Sequence, residues 1–134
     1  MRKVFIILFL LFSITSFSQS QNDMLKNMVE DYRKSDKELN EIYQKILKVY
    51  VADAVFIENL KVAQRLWVKF RDAELKMKFP EREQGYYGSM LSWCEFNYLK
   101  QLTDDRIKTL KQWLYTPEEG DVCMGSVEVF EGDI

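Results

Sequence analysis

The chain has 134 residues, which suits one domain and is too short for two well-buried cores. Its 19 basic and 21 acidic side chains leave a formal net charge of −2, so it lacks the Lys/Arg-rich surface with which domains bind nucleic acid. Histidine is absent, which excludes Ser-His-Asp and Cys-His catalysis and removes the commonest metal ligand, so we expect neither an enzyme nor a cofactor or metal site.

The N-terminus has the pattern of a secretory signal peptide. Arg2 and Lys3 form a short basic start, and residues 4–11 are apolar without interruption. The apolar run is shorter than the roughly 20 residues that a spanning helix needs, so a membrane anchor is the poorer interpretation. The small side chains of Ser16 and Ser18 stand at the two positions that a signal peptidase reads. The sequence predicts a signal peptide at residues 1–18 and a periplasmic or secreted mature protein without a stable membrane anchor.

The first part of the mature chain has helical spacing of apolar residues. Residues 23–50 follow the three-and-four spacing of one amphipathic helix or two. Within them Ser35-Asp36-Lys37-Glu38 fits a capping box, in which a hydroxyl and a carboxylate satisfy free amides at a helix start. A break between two helices would therefore fall at Ser35.

Two further stretches, residues 55–79 and 90–114, have the same spacing. Pro80 ends the first of them, and the second could restart at Thr103. The first has a broad predicted apolar face, made of Leu60, Ala63, Leu66, Trp67, Phe70, Ala73 and Met77. We expect an all-α domain over residues 19–114, a small bundle of three to four helices.

A short, irregular acidic tail, residues 115–134, follows the helices. Its pattern allows at most one short strand, near residues 127–130. The tail reads as a solvated end, or as a segment folded back on the body or offered to a cationic partner. It contains no basic residue, and its acidic residues are Glu118, Glu119, Asp121, Glu128, Glu131 and Asp133.

Cys94 and Cys123 are the only cysteines. Two cysteines in an exported chain usually pair, so we predict a disulfide that ties the tail to the third helical stretch. On the loop-entropy estimate it stabilises the fold by roughly 3 to 4 kcal/mol. The alternative is one buried and one exposed thiol.

Two other features could form sites. Tyr86 and Tyr87 lie beside glycines in a loop, residues 80–89, where they could anchor a partner or cover the end of the bundle. Ser89, the last loop residue, could cap the next helix. A paired-carboxylate hydrolase is the less favoured alternative to plain surface charges for Asp72, Glu74, Asp104 and Asp105.

Several motifs together resemble the LprI-like lysozyme-inhibitor family over roughly residues 21–114. The most specific is Gln-Arg-x-Trp-x-x-Phe-Arg-Asp-Ala at residues 64–73, followed by Glu74. The others are Leu39-Asn40 with Tyr43, Gly88-Ser89, and Leu-Thr-Asp-Asp-Arg at residues 102–106. The resemblance implies a small exported helical protein whose partner is a protein, a lysozyme or a related muramidase.

The resemblance also suggests which residues recognise the partner. A lysozyme cleft contains catalytic carboxylates, which an arginine or a polar loop group would fit. The candidate partner-binding residues are Gln64, Arg65, Arg71, Tyr86, Tyr87, Gly88, Ser89 and Arg106. The competing interpretation is structural: Arg71 and Asp72 pair with Arg106 and its acidic neighbours, while Gln64 and Thr103 satisfy helix ends or each other.

The chain departs from the family pattern at two positions. Many members have cysteines where this chain has Leu75 and Tyr98, and their joint loss is expected if they form one disulfide. A second functional hypothesis also stays open at this point. It is a structural or assembly protein of the envelope that contacts other proteins through the acidic tail and the Tyr86-Tyr87 loop.

Overall fold

Three helices dominate this computed structural model, which describes the backbone of residues 2–115 and 122–127 and the side chains of residues 20–115 and 122–127. Helix α1 spans Arg2–Val49, α2 spans Ala54–Lys78 and α3 spans Leu91–Lys111, and a 3-10 turn, Gln112–Leu114, follows α3. No strand occurs in these ranges. The prediction of a small all-α bundle is confirmed.

Some predictions fall outside this description. The predicted signal peptide, residues 1–18, precedes the first described side chain. Most of the acidic tail, residues 116–121 and 128–134, is also outside, together with most of the strand suggested near residue 127. Among the residues searched, no helix combines the length and the apolar character needed to cross a membrane.

Helix α1 passes through Ser35 without interruption, so the helix break suggested there does not occur. Ser35 is 7% exposed, and its hydroxyl bonds to the carboxylate of Asp104 on α3. Because the hydroxyl is used between helices, it does not cap a new one. The backbone amides that follow keep their partners within α1.

Local signals account for both ends of α2. The carboxylate of Asp53 accepts a hydrogen bond from the backbone N–H of Phe56 at 2.9 Å, which satisfies a free amide of the first turn. Pro80 follows shortly after the last helical residue and cannot continue the helix.

Helix α3 begins at Leu91 and is continuous through Thr103. The hydroxyl of Thr103 donates to the carbonyl of Leu99 at 2.8 Å, a bond that a helix interior accommodates. The restart suggested at Thr103 is therefore absent. The cap position of α3 is Met90, with no side-chain hydrogen bond, so Ser89 does not cap the helix.

The core lies mainly between α1 and α3, with one contribution from α2. Contacts of Tyr32 with Phe96 and of Tyr50 with Trp113 show that α1 and α3 run in the same direction. The Tyr50 hydroxyl donates to the Trp113 carbonyl at 3.0 Å, and its ring lies 4.3 Å from that of Phe56. The buried core residues are Leu39, Ile42, Ile46, Tyr50, Leu60, Ile107 and Leu110.

Helix α2 runs antiparallel to α3 and buries only part of its predicted apolar face. Leu60 is buried and Trp67 is half-buried. Leu66, Phe70 and Met77 are 59%, 52% and 68% exposed. At about 100° per residue, Leu60 and Trp67 lie on one side of α2 and the exposed residues on another. The single broad face predicted from the sequence is thus divided between core and solvent.

Candidate functional site

An arginine–tryptophan cluster, made of Gln64, Trp67, Arg71 and Arg106, lies between α2 and α3. Arg106 Nε donates to Gln64 Oε1 at 3.0 Å. The guanidinium carbons of Arg71 and Arg106 lie 5.4 and 5.9 Å from the centroid of the Trp67 ring. Both distances suit attraction between a cation and an aromatic ring. The structure therefore places polar residues of two motifs, residues 64–73 and 102–106, around the Trp67 ring.

Arg71 is held by several partners. Its Nε and Nη2 donate to Asp72 Oδ1 at 3.0 and 2.9 Å. Nη1 lies 3.4 Å from the Tyr32 hydroxyl and 3.8 Å from Asp36 Oδ1, both on α1. The side chain is only 15% exposed. Arg71 thus ties α2 to α1, which favours a structural role and corrects the predicted pairing of Arg71 and Asp72 with Arg106 and its neighbours.

Arg106 has fewer partners. It forms no ion pair with any carboxylate in the described part of the chain. Loss of solvent around the half-buried guanidinium lowers the pKa of Arg106 below its ordinary value, although an arginine remains charged at neutral pH. Gln64 holds the Nε end, which leaves the Nη groups as available donors.

A groove of about 390 Å³ opens beside Arg106, near the C-terminal end of α3. The indole N–H of Trp113, in its wall, is buried without an acceptor among the described residues. The lining is mostly apolar and consists of Asp53, Val55, Phe56, Asn59, Leu60, Ala63, Arg106, Leu110, Trp113 and Ser126.

The tyrosine loop, residues 79–90, joins α2 to α3 at the other end of α3. The hydroxyl of Tyr87 donates to the carbonyl of Pro80 at 2.8 Å, and its ring packs edge-on against Phe79 at 5.8 Å. Gly85 and Gly88 have φ angles of 87° and 72°, a region that side-chain-bearing residues rarely adopt. Tyr86 is 69% exposed and lies against Tyr87 at 4.9 Å. Tyr87 is therefore a structural residue of the loop, and Tyr86 is its exposed aromatic.

The predicted partner-binding residues do not form one patch. Gln64 and the end of α2 at Lys78 are separated by about 21 Å of helix, so the arginine–tryptophan cluster and the tyrosine loop are distinct sites. Arg65 belongs to neither, because its 64% exposed side chain lies 3.8 Å from Glu58 on the outer side of α2. Gly88 and Ser89 belong to the loop, and Ser89 is exposed.

Comparison with known proteins identifies the family. The family described as "Lysozyme inhibitor LprI" matches residues 15–110. The chain belongs to the LprI family. It is also 32% identical over 111 residues to an uncharacterized protein of Rhizobium meliloti (strain 1021), with 74% of this chain and 77% of the relative covered. No solved structure matches the chain.

Leu75 and Tyr98, the two positions of this LprI protein where the resemblance implies cysteines, lie on α2 and α3. Tyr98 donates its hydroxyl to Glu74 Oε2, next to Leu75, at 3.0 Å. This bond raises the pKa of Tyr98. Lys78 Nζ lies 3.7 Å from the Tyr98 ring centroid. A hydrogen bond and a cation–aromatic contact connect the helices here.

Cys94 and Cys123 are not joined in the structure, contrary to the predicted disulfide. Cys94 lies in the first turn of α3. Ser126, three residues after Cys123, lines the groove at the other end of α3. Leu110 also lines that groove, and about 24 Å of helix separates it from Cys94. The described part of the tail therefore packs at the wrong end of α3 for this bond.

The four carboxylates considered for hydrolysis are each engaged with a different neighbour. Asp72 bonds to Arg71, Glu74 to Tyr98 and Asp105 to Lys108. Asp104 is bonded by Lys100 Nζ at 2.6 Å and by Ser35. No group of three or more potential metal ligands occurs in the described residues. The arrangement favours surface charges over an acid–base pair.

Two residues of these sites are not among the predicted site residues. The spacing along α2 places Gln64 and Arg71 beside Trp67, but it predicts Trp67 only as a core residue, whereas its ring contacts two arginines. Arg82 is exposed, and its guanidinium carbon lies 6.0 Å from the Tyr86 ring. The presence of an arginine and a tyrosine in one glycine-containing loop could have indicated Arg82.

Proposed function

We propose that this protein is an exported, non-enzymatic inhibitor of a lysozyme or a related muramidase. The observation that carries the proposal is the match to the LprI lysozyme inhibitor family over residues 15–110. The basic and apolar pattern of residues 2–11 supports export. The absence of histidine and the separately engaged carboxylates support a binding role rather than catalysis.

The tyrosine loop is the inhibitory element in this proposal. Muramidases place carboxylates on either side of the scissile sugar bond, and the exposed guanidinium of Arg82 is the matching cation. Tyr86 supplies an exposed ring next to that cation. Tyrosine and arginine are the residue types that most often dominate binding energy at protein interfaces.

The loop is already ordered before it meets a partner, which reduces the entropy cost of binding. Backbone hydrogen bonds from the Tyr86 N–H to Glu83 at 3.1 Å and from the Gly88 N–H to Gly85 at 3.0 Å form two successive turns. The Tyr87–Pro80 hydrogen bond fastens the loop to the end of α2. Tyr86 therefore projects from a fixed base.

Titration of purified mature protein into muramidase assays tests the proposal. Tyr86→Ala and Arg82→Ala should each raise the inhibition constant by about tenfold or more, because loss of such a contact costs roughly 1.4 kcal/mol or more. Tyr115→Ala is the matched control. Tyr115 is 62% exposed and lies past the opposite end of α3, so its removal should leave inhibition unchanged.

Two outcomes would contradict different parts of this proposal. Full activity of several lysozyme types at high molar excess of the unaltered protein would refute the inhibitor function. If Tyr86→Ala and Arg82→Ala each inhibit as strongly as the unaltered protein, the inhibitor function would stand and the role of the tyrosine loop would be refuted.

A further inference from the structure

The outer side of α2 carries an exposed, mostly apolar surface, here called the outer stripe. At about 100° per residue its members fall within an arc of about 80° and extend along the whole helix. Val55, Leu66, Phe70 and Met77 are 74%, 59%, 52% and 68% exposed. Exposed apolar residues grouped on one helix face often mark an interaction site. The members of the outer stripe, all exposed, are Val55, Asn59, Val62, Leu66, Phe70, Ala73 and Met77.

The spacing of the outer stripe is symmetric about Leu66. In both directions from Leu66 the next members lie four, seven and eleven positions away. A two-fold axis at Leu66 would bring an antiparallel second copy of α2 into register at every layer. The layers would pair Leu66 with Leu66, Val62 with Phe70, Asn59 with Ala73, and Val55 with Met77.

We propose that this surface binds a second copy of the same chain, with the two α2 helices antiparallel across a two-fold axis at Leu66. Three of the four different pairs join two apolar side chains, and the exception is Asn59 with Ala73. Such an interface is closed, because the same face is used on both copies. The tyrosine loop lies outside this dimer interface, so the inference does not depend on the proposed function.

Charges at one border of the outer stripe favour the antiparallel arrangement. Glu58 and Lys76 are 18 residues apart, five full turns, and so lie on the same border. In an antiparallel pair the same borders face each other, which places Glu58 beside Lys76 of the second copy. In a parallel pair this border would face the opposite border of the second copy, so Glu58 and Lys76 would not meet.

Arg65 and Lys69, near the middle of that border, bring basic side chains from the two copies together. Arg65 is already paired with Glu58 of its own chain at 3.8 Å. These charges are exposed, so salt screens their repulsion. Salt screens the attraction between Glu58 and Lys76 of the second copy as well, so we expect the dimer to depend little on salt, as an interface driven by apolar burial does.

The size of the proposed dimer interface sets the expected affinity. Helix α2 has 25 residues and is about 37 Å long, which gives an interface at the small end of specific ones. The groove of about 390 Å³ extends it, because Val55 and Asn59 belong to both surfaces and Met77 of the second copy would lie at the groove mouth. We expect reversible dimers with dissociation in the micromolar range.

Analytical ultracentrifugation of the mature chain, from about 1 μM to about 1 mM, tests the dimer. The unaltered protein should pass from monomer to dimer, and Leu66→Glu should remain monomeric because two like charges would meet on the axis. Met24→Glu, at a 45% exposed apolar residue of α1, is the matched control and should dimerise normally. Circular dichroism checks that both variants are folded.

Charge exchange tests the orientation. Glu58→Lys and Lys76→Glu should each weaken the dimer by about 2- to 5-fold, and the double variant should recover the original affinity. Failure of the double variant to recover would overturn the antiparallel arrangement. A chain that stays monomeric at 1 mM would overturn the dimer. If such a monomer also lost muramidase inhibition on Leu66→Glu, the outer stripe would be an enzyme-binding surface instead.

Discussion

The seam between α1 and α3 and the outer stripe of α2 are built from the same kinds of side chain, yet one is buried and the other faces solvent. Ile46 in the seam is 0% exposed, whereas Leu66 on the stripe is 59% exposed. Burial stabilises the fold only where apolar surface actually leaves water. Stability should therefore depend on α1 and α3, while the outer side of α2 is available for interaction.

The largest expected difference in stability between the two regions appears when one apolar residue in each is truncated to alanine. Ile46→Ala should lower the free energy of unfolding by about 2 to 5 kcal/mol, through lost burial and a residual cavity. Leu66→Ala should change it by no more than about 0.5 kcal/mol. Urea unfolding at about 1 μM protein or below, where the proposed dimer dissociates, measures both. Equal losses would show that α2 is buried more deeply than the structure places it.

A smaller effect, which depends on pH, should come from the polar contact inside the α1–α3 seam. Burial acts to raise the pKa of Asp104, but hydrogen bonds from Lys100 and Ser35 outweigh it and hold the pKa below its ordinary value. The stabilisation is then present above the unfolded value, about pH 3.9, and is lost as pH falls through the lower folded value.

Asp104→Asn should remove that dependence and cost no more than about 1 kcal/mol at pH 7, since the carboxylate is partly solvated. The difference from the unaltered protein should vanish in acid, as followed by urea unfolding over a pH series. Asp105→Asn is the control. Its pair with Lys108 is 72% exposed at the aspartate and should contribute little. A loss at Asp104 that persisted unchanged in acid would argue against an ionised contact.

The smallest expected effect is that of a reducing agent. Because Cys94 and Cys123 are not joined in the structure, reduction should leave the melting temperature unchanged, and the denatured chain should titrate as two thiols. The predicted disulfide would instead be worth roughly 3 to 4 kcal/mol. A melting temperature several degrees lower after reduction would show that Cys94 and Cys123 form a disulfide.

Much of the fold could be predicted because its signals are local. The ends of α2 follow from Asp53 and Pro80, and the helical spacing on either side of the tyrosine loop is unambiguous. Ser35 and Thr103 misled the prediction for one reason. Both are typical cap residues, but each lies buried within a helix and bonds elsewhere, Ser35 to Asp104 and Thr103 to the Leu99 carbonyl.

The candidate site was less predictable, because it depends on which helices meet. Gln64, Arg71 and Arg106 belong to one predicted set of motif residues, and they do converge around Trp67. Arg71 could not be assigned to Asp36 and Tyr32 beforehand, since nothing in the local pattern places α1 beside that part of α2. The separation of this cluster from Tyr86 likewise follows only from the antiparallel course of α2 and α3.

The sequence alone determined the helical class, the approximate helix boundaries, the family and the residues that bear the motifs. These follow from spacing, caps, proline and composition, which act over a few neighbouring residues. Only the tertiary structure decided which side of α2 is buried, which arginine is fully partnered, and at which end of α3 the described part of the tail lies. The identity of an apolar residue does not specify which residue it packs against, because hydrophobic burial is non-directional. The relative placement of the helices decides which side chains come into contact.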